Sequence, residues 1–252
     1  MNLTLDLAVV ETLMLASCRI AAFLFLAPPF AHRAIPGKVK AMLSVGLALA
    51  VAPRLPVRQA DTTLYFLADV IMQVTIGAAM GFMVYLVFAA VQSAGTLIDL
   101  SGGFAMAAAF DPMSMTSSAQ FGRLYQMLAV VLLFASDGYQ IVIAGLARSF
   151  DGLPIGQGLD FAVTAEAMIS GLTNMFVATL QIAGPLVVVL FLADVGLGLL
   201  TRVAPAMNAF ALGFPLKILM TVSMAAFALL ALPRIVAALT DQSFTTMLGI
   251  AR

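Results

Sequence analysis

The chain alternates long apolar runs with short polar punctuation. No charged residue occurs from Val70 to Ile98 or from Ala167 to Ala193. A charge-free apolar stretch of about 18 residues is long enough to cross a bilayer. The first apolar segment covers about Val9 to Phe30, carries Glu11 and Arg19 near one helical face, and ends at Pro28-Pro29. The second, Ala41–Ala52, is short for a span and stops at Pro53. The third, Leu64–Ile98, is too long for one upright span and must tilt, kink or project from the bilayer. Within it Gly77 with Gly81, and Ala90 with Ala94, are small-xxx-small pairs that let helices approach closely.

The fourth segment, Leu124–Ala147, contains the turn signal Asp137-Gly138. A hairpin, a broken helix and a single rod are all compatible with it. The fifth, Met168–Ala193, has a kink site at Gly184-Pro185. Asp194 to Gly198 then reads as a break leading to Arg202 and Pro205. The sixth, Asn208–Leu232, is interrupted by Gly213, Pro215 and Lys217, and Arg234–Arg252 fits a short amphipathic tail helix. Between them lie an irregular region, Asp99–Arg123, and the longest polar connection, Arg148–Glu166.

The breaks are informative. Leu100 to Phe110 reads LSGGFAMAAAF, neither a soluble turn nor a good spanning helix. Irregular backbone survives at membrane depth only when it is packed in protein or lines a water-filled path. The pattern therefore points to a membrane protein built around a conduit. Phe104, Met106, Phe110, Met113 and Met115 cluster in this stretch. Met repacks readily around different neighbours, so such side chains could form a compliant seal. A re-entrant loop simply packed between helices explains the same residues equally well.

Composition fixes the class. Of 252 residues 63% are hydrophobic and 10% charged, with mean hydropathy +1.09. Soluble domains are roughly 45–50% apolar and about 25% charged, so an integral membrane protein is expected. Lys plus Arg equals Asp plus Glu at 12 each, which leaves no basic field for nucleic acid. The basic loop His32–Lys40 carries three of the cations and favours the cytoplasmic side. Acidic Asp6 and Glu11 precede the first apolar run in place of a basic n-region, so the first helix is expected to be retained. Trp is absent, and Tyr65, Tyr85, Tyr125 and Tyr139 make at most a thin interfacial belt.

Candidate chemistry is sparse. Asp69, Asp194, Arg202 and Lys217 interrupt apolar sequence, and such groups mark either an ion relay or segment ends and inter-helix pairs. Their position beside breaks favours the second reading, with Asp194 and Arg202 the expected ion pair. One histidine, His32, excludes a His-Glu-His zinc helix. Cys18 has no base nearby in sequence and reads as an inert thiol. The serine-rich Met113–Ser118 lacks a nucleophile elbow, and no phosphate-binding glycine loop occurs. No enzyme, metal site or cofactor is expected.

The order of motifs resembles the FliR/SpaR family of type III protein-export gate subunits across nearly the whole chain. The residues that carry the resemblance are Arg19, Ala27-Pro28-Pro29-Phe30 and Ile35-Pro36-Gly37-Lys38-Val39-Lys40 near the start. They continue with Leu49–Pro53 and Leu55-Pro56, Phe88–Gly95, then Gly103 with Phe110-Asp111-Pro112, and Leu153-Pro154-Ile155-Gly156. The strongest block runs from Gly198 through Thr201-Arg202-Val203-Ala204-Pro205 and Asn208 to Gly213-Phe214-Pro215-Leu216-Lys217. The chain departs from the family pattern at Thr96, Ser101-Gly102 and Tyr139.

The resemblance implies an all-α integral membrane protein of bent and interrupted helical hairpins forming one membrane domain, 1–252. A FliP-like part (about 1–165) would precede a FliQ-like part (166–252). One copy would assemble with FliP-like and FliQ-like subunits into a helical hetero-oligomer with an FlhB-like protein at its entrance. It would sit among lipids of the bacterial inner membrane in the flagellar basal body and pass exported unfolded proteins. By position, Gly102, Gly103, Phe104, Met106, Phe110, Asp111 and Pro112 correspond to a plug or gate loop. In that loop Gly102 and Gly103 would supply freedom to move, and Asp111-Pro112 would fix the exit. Asp194, Arg202, Pro205, Gly213 and Pro215 correspond to structural helix breaks and an ion pair. The main alternative is a broken-helix secondary transporter for a small solute; a membrane-embedded hydrolase is a more distant one.

Overall fold

The computed structural model describes residues 7–57, 62–104, 119–204 and 209–250. Every regular element among them is helical: α1 (Leu7–Leu26), α2 (Gly37–Val51) with a 3-10 turn at Ala52–Arg54, α3 (Thr63–Ser101), α4 (Gln120–Ala135), α5 (Gly138–Gly152), α6 (Phe161–Val203) and α7 (Ala209–Ile250). The all-α membrane class that the family resemblance implies is borne out among the described residues. Three helices, α1, α3 and α6, are long and apolar enough to cross a membrane, and the number rises to five if each of two bent pairs counts as one span.

Helix α3 runs for 39 residues without a proline, about 58 Å at 1.5 Å per residue. It exceeds the roughly 30 Å of bilayer hydrocarbon, as its sequence required. Its three glycines are contact points, not breaks. A methyl on Gly77 would collide with the backbone of Arg19, and one on Gly81 would lie 3.0 Å from the Phe23 carbonyl oxygen, so α1 lies backbone-to-backbone on α3 at this small-xxx-small pair. Gly95 does the same for α4. Ala90 and Ala94 are fully buried, and the Ala90 carbonyl accepts a hydrogen bond from Thr179 Oγ1 at 3.2 Å.

The Asp137-Gly138 signal marks a true break. Asp137 adopts a left-handed backbone with φ 56°, between the end of α4 at Ala135 and the start of α5 at Gly138. Aspartate tolerates this conformation better than most residues. Elsewhere the helices are more continuous than the punctuation suggests. Helix α6 runs 43 residues straight through Gly184-Pro185 and Asp194–Gly198, so Asp194 lies within a helix and is not a break. Helix α7 runs through Gly213, Pro215 and Pro233 and absorbs the separate tail helix. Helices in apolar surroundings tolerate proline and glycine, because neighbouring groups re-satisfy the freed backbone. The bend of 57° in α7, between Gly213–Ala225 and Leu229–Met247, lies about one turn before Pro233, where a proline ring crowds the carbonyl four residues earlier. The polar connection expected over Arg148–Glu166 shrinks to 153–160, because α5 and α6 extend into it.

The chain forms two compact units, each discontinuous in sequence. One combines residues 1–87, 137–172 and 239–252; the other combines 88–136 and 173–238. Both draw on residues before and after position 165. In the first, Ala16, Ile20, Phe23, Ile76 and Met80 are buried with a polar side chain, Arg19, among them. In the second, Ile98, Tyr125, Ala183 and Leu190 are among the most buried residues, and Asp99 is buried with them.

Candidate functional site

The loop singled out by the sequence leaves α3 at Ser101 and enters α4 at Gln120. Both of its feet are described. Residues Met106, Phe110, Asp111 and Pro112 lie outside the described residues, as does Pro205.

The outgoing foot is a helix C-cap. The Gly102 N–H donates to Ile98 O at 2.8 Å and the Phe104 N–H donates to Asp99 O at 3.1 Å. Gly103 lies between them with φ 84°. A left-handed residue after the last turn, with a six-to-one hydrogen bond closing over it, satisfies otherwise orphaned helix carbonyls. Glycine takes that conformation without a steric penalty. Gly102 has a different reason to be glycine: a Cβ there would lie 2.6 Å from Thr221 Oγ1 on α7. A Cβ on Gly103 would lie 3.2 Å from the Phe214 ring. Both glycines thus sit in fixed close contacts.

The returning foot is held from the same helix end. Asp99 is only 2% exposed, and its carboxylate accepts the N–H groups of Phe121 (Oδ1, 3.0 Å) and Gly122 (Oδ2, 3.0 Å). The first turn of a helix has no internal acceptors for its N–H groups and carries partial positive charge, so a carboxylate is well placed there. Its approach depends on glycine. A Cβ on Gly95 would lie 2.5 Å from the Phe121 oxygen, and one on Gly122 would lie 2.8 Å from Thr96 Oγ1. Aromatic rings extend the join: Phe104 meets Phe121 edge-on at 5.2 Å, and Phe121 meets Tyr125 edge-on at 6.5 Å. The Tyr125 hydroxyl is buried and has no hydrogen-bond partner among the described residues. The two ends of the loop are therefore pinned together by one carboxylate and a ring ladder.

Sequence reasoning did not pick out Asp99. A signal was present: it is the only charged residue between Asp69 and Asp111. It also did not assign Arg19 its role. The Arg19 side chain is fully buried, yet no carboxylate among the described residues meets it. Its Nε donates to Gln73 Oε1 at 2.7 Å, Nη1 to Ser149 O and Oγ at 3.1 and 3.2 Å, and Nη2 to Leu153 O at 2.8 Å. The guanidinium also lies 4.2 Å over the Phe150 ring. The carbonyls belong to the C-terminal end of α5, where helix dipoles favour a cation. One side chain thereby ties α1 to α3 and α5.

The expected Asp194–Arg202 pair is replaced. Asp194 Oδ1 meets Lys217 Nζ at 2.6 Å, joining α6 to α7. Arg202, two turns farther along α6, is exposed. The correction follows from helix continuity: with no break after Asp194, Arg202 cannot fold back to it, whereas α7 returns alongside and presents Lys217. Gly213 lies close to Leu197, within 3.3 Å of where its Cβ would be, and not at an interruption.

These residues define an all-α, multi-pass membrane protein in which buried polar side chains lock helix ends together. No group of three or more His, Cys, Asp or Glu among the described residues could hold a metal ion. The chain belongs to the bacterial export proteins, family 1, whose family model matches residues 10–243. It is 38% identical over 205 residues to the flagellar biosynthetic protein FliR of Pectobacterium carotovorum subsp. carotovorum, covering 79% of this chain and 77% of that protein. It is 33% identical over 209 residues to FliR of Escherichia coli strain K12, covering 82% and 80%. A Yop proteins translocation protein T from Yersinia pestis matches at 29% over 149 residues, covering 58% of this chain and 56% of that protein. These relatives give no support to a small-solute transporter.

Proposed function

We propose that the chain is a non-catalytic subunit of a type III protein-export gate and forms part of the conduit through which unfolded proteins leave the bacterial inner membrane. The observation that carries this reading is the family match over residues 10–243, together with flagellar relatives aligned over most of both chains. The flagellar branch is favoured over the injectisome branch, because the FliR relatives align over a larger share of the chain than the Yop protein does. The protein would then act in the flagellar basal body beside FliP-like, FliQ-like and FlhB-like subunits, its residues 1–165 taking the FliP-like place and 166–252 the FliQ-like place.

In this reading the segment from Gly102 to Pro112 plugs the export path, with Phe104, Met106 and Phe110 in the seal. The pinned feet support such a role. A plug that must yield to a passing chain and then reseal needs fixed ends, and the Asp99 carboxylate supplies them on both sides of the loop. The test is a deletion of Gly103–Phe110 in a strain whose assembled complex is confirmed by co-purification. Small-solute leakage across the inner membrane is the expected result. Permeability identical to the parent strain would remove the plug role.

A further inference from the structure

The first unit contains an apolar groove of about 390 Å³, lined by Leu26, Ala78, Phe82, Leu159, Phe161 and Met168 among others. That is within the range of small-molecule sites, roughly 300–1,000 Å³. Its hydroxyl-bearing residues, Thr75 and Thr164, donate to carbonyls four residues earlier, Ile71 O within α3 and Asp160 O just before α6, each at 2.8 Å. No free hydrogen-bonding group therefore faces an occupant from these side chains, and the occupant must be apolar there. The groove opens to the surface, since Leu26 and Phe161 on its rim are exposed.

The groove's position fixes what kind of apolar group reaches it. Leu26 is the last residue of the spanning helix α1, and Phe161 is the first residue of the spanning helix α6. The apolar helix α1 ends at Leu26, and the charge-free run of α6 begins at Ala167, beside the lining residue Met168, so a bilayer crossed by both helices would have one face at the groove. The basic loop lies at the same place. A Cβ on Gly37 would touch the Phe25 ring at 3.8 Å, and Lys40 Nζ lies 5.2 Å from the same ring, one residue before Leu26. Arg33, on the loop, and Lys38, in the first turn of α2, are exposed and are paired with no acid among the described residues. Asp160, the acid nearest in sequence to the rim, holds its Oδ1 against the N–H groups of Ala162 and Val163.

From this juxtaposition we propose that the groove binds an acyl chain of an anionic phospholipid whose headgroup phosphate lies against Arg33 and Lys38. An apolar slot beside two free cations at a membrane face matches both halves of such a lipid. It would tether this end of α1 and α6 to the anionic leaflet.

The test is native mass spectrometry of the detergent-solubilised protein, with any companion chains it carries, titrated with phosphatidylglycerol or phosphatidylcholine. The expected result is a retained lipid adduct with a preference for phosphatidylglycerol on the order of tenfold, since each nearby cation contributes. Ala165→Trp, at an exposed lining position, should abolish retention of both lipids. Arg33→Glu with Lys38→Glu, both at exposed positions, should remove the preference but keep phosphatidylcholine at its original level. Absence of any adduct on the parent protein overturns the proposal, as does unchanged retention by Ala165→Trp or unchanged preference after charge reversal. Efficient disulfide formation, under an added oxidant, between Ala165→Cys and a cysteine introduced on a companion chain would also overturn it, because the groove would then be filled by protein.

Discussion

Asp99 Oδ2 accepts the Gly122 N–H at 3.0 Å across 23 residues of sequence, and its other oxygen takes Phe121 at the same distance. The bond joins the last turn of α3 to the first turn of α4. An intact carboxylate is needed to serve both donors. Asp99→Asn retains one acceptor and turns an N–H₂ toward the other donor. Hydrogen bonds to charged groups contribute about 1.5–3 kcal/mol, and a buried donor left unpaired costs a similar amount. The expected outcome is a thermal midpoint in detergent lowered by Asp99→Asn and lowered further by Asp99→Ala. An unchanged midpoint for both would show that the latch contributes nothing.

Arg19 is held by three carbonyl oxygens, a hydroxyl and a ring. Lysine cannot reproduce this, because its ammonium is a point charge without the planar fork. Arg19→Lys should destabilise by about 3 kcal/mol or more, since buried acceptors lose their donors. Gln73→Glu should act in the opposite direction. It replaces a buried amide nitrogen that has no partner with an oxygen, and it places a countercharge beside the Arg19 Nε. Pulse-chase decay of the protein in membranes, compared for the two variants, checks both directions.

The glycines are not equivalent. Gly77→Ala drives a methyl into the Arg19 backbone, whereas nothing lies within 4 Å of a methyl on Gly46. Overpacking costs roughly 1–3 kcal/mol, while replacing an unconstrained helical glycine by alanine gains about 0.5–1 kcal/mol. Accumulation should therefore fall for Gly77→Ala and hold or rise for Gly46→Ala. Equal levels would mean that α1 and α3 are not in backbone contact.

Asp194 is half exposed and Lys217 about one-fifth exposed, so their pair is worth only about 0.5–1 kcal/mol if solvent reaches it. The informative quantity is the coupling. A double-mutant cycle with Asp194→Asn and Lys217→Gln should be non-additive, and the same cycle with Asp194→Asn and Arg202→Ala should be additive. Coupling to Arg202 instead would restore the pairing that the sequence suggested.

Much of the fold was legible because apolar length and charge spacing are local properties. The extent of α3, the Asp137 break and the Gly77–Gly81 contact all follow from neighbouring residues. What was misread was continuity. The sequence marks Gly213 and Pro215 as interruptions and Gly184-Pro185 as a kink site, yet the helices run through all of them, because apolar surroundings penalise an unpaired backbone more than a distorted one. The same error put Asp194 with Arg202. The candidate loop was legible as a place but not as a mechanism. Asp99 and Arg19 act through partners 22 to 134 residues away, and a single sequence offers no spacing rule for such contacts.

The Arg19 contacts also impose an order of events. The acceptors at the C-terminal end of α5 lie 130 and 134 residues downstream, which at about 5–20 residues per second takes roughly 7 to 27 seconds to translate. During that interval the guanidinium has no finished berth, so the first helix has to wait in a provisional position, at a wet boundary or against the insertion machinery. Helix α1, made before its partners on α5, is thus among the last elements to settle.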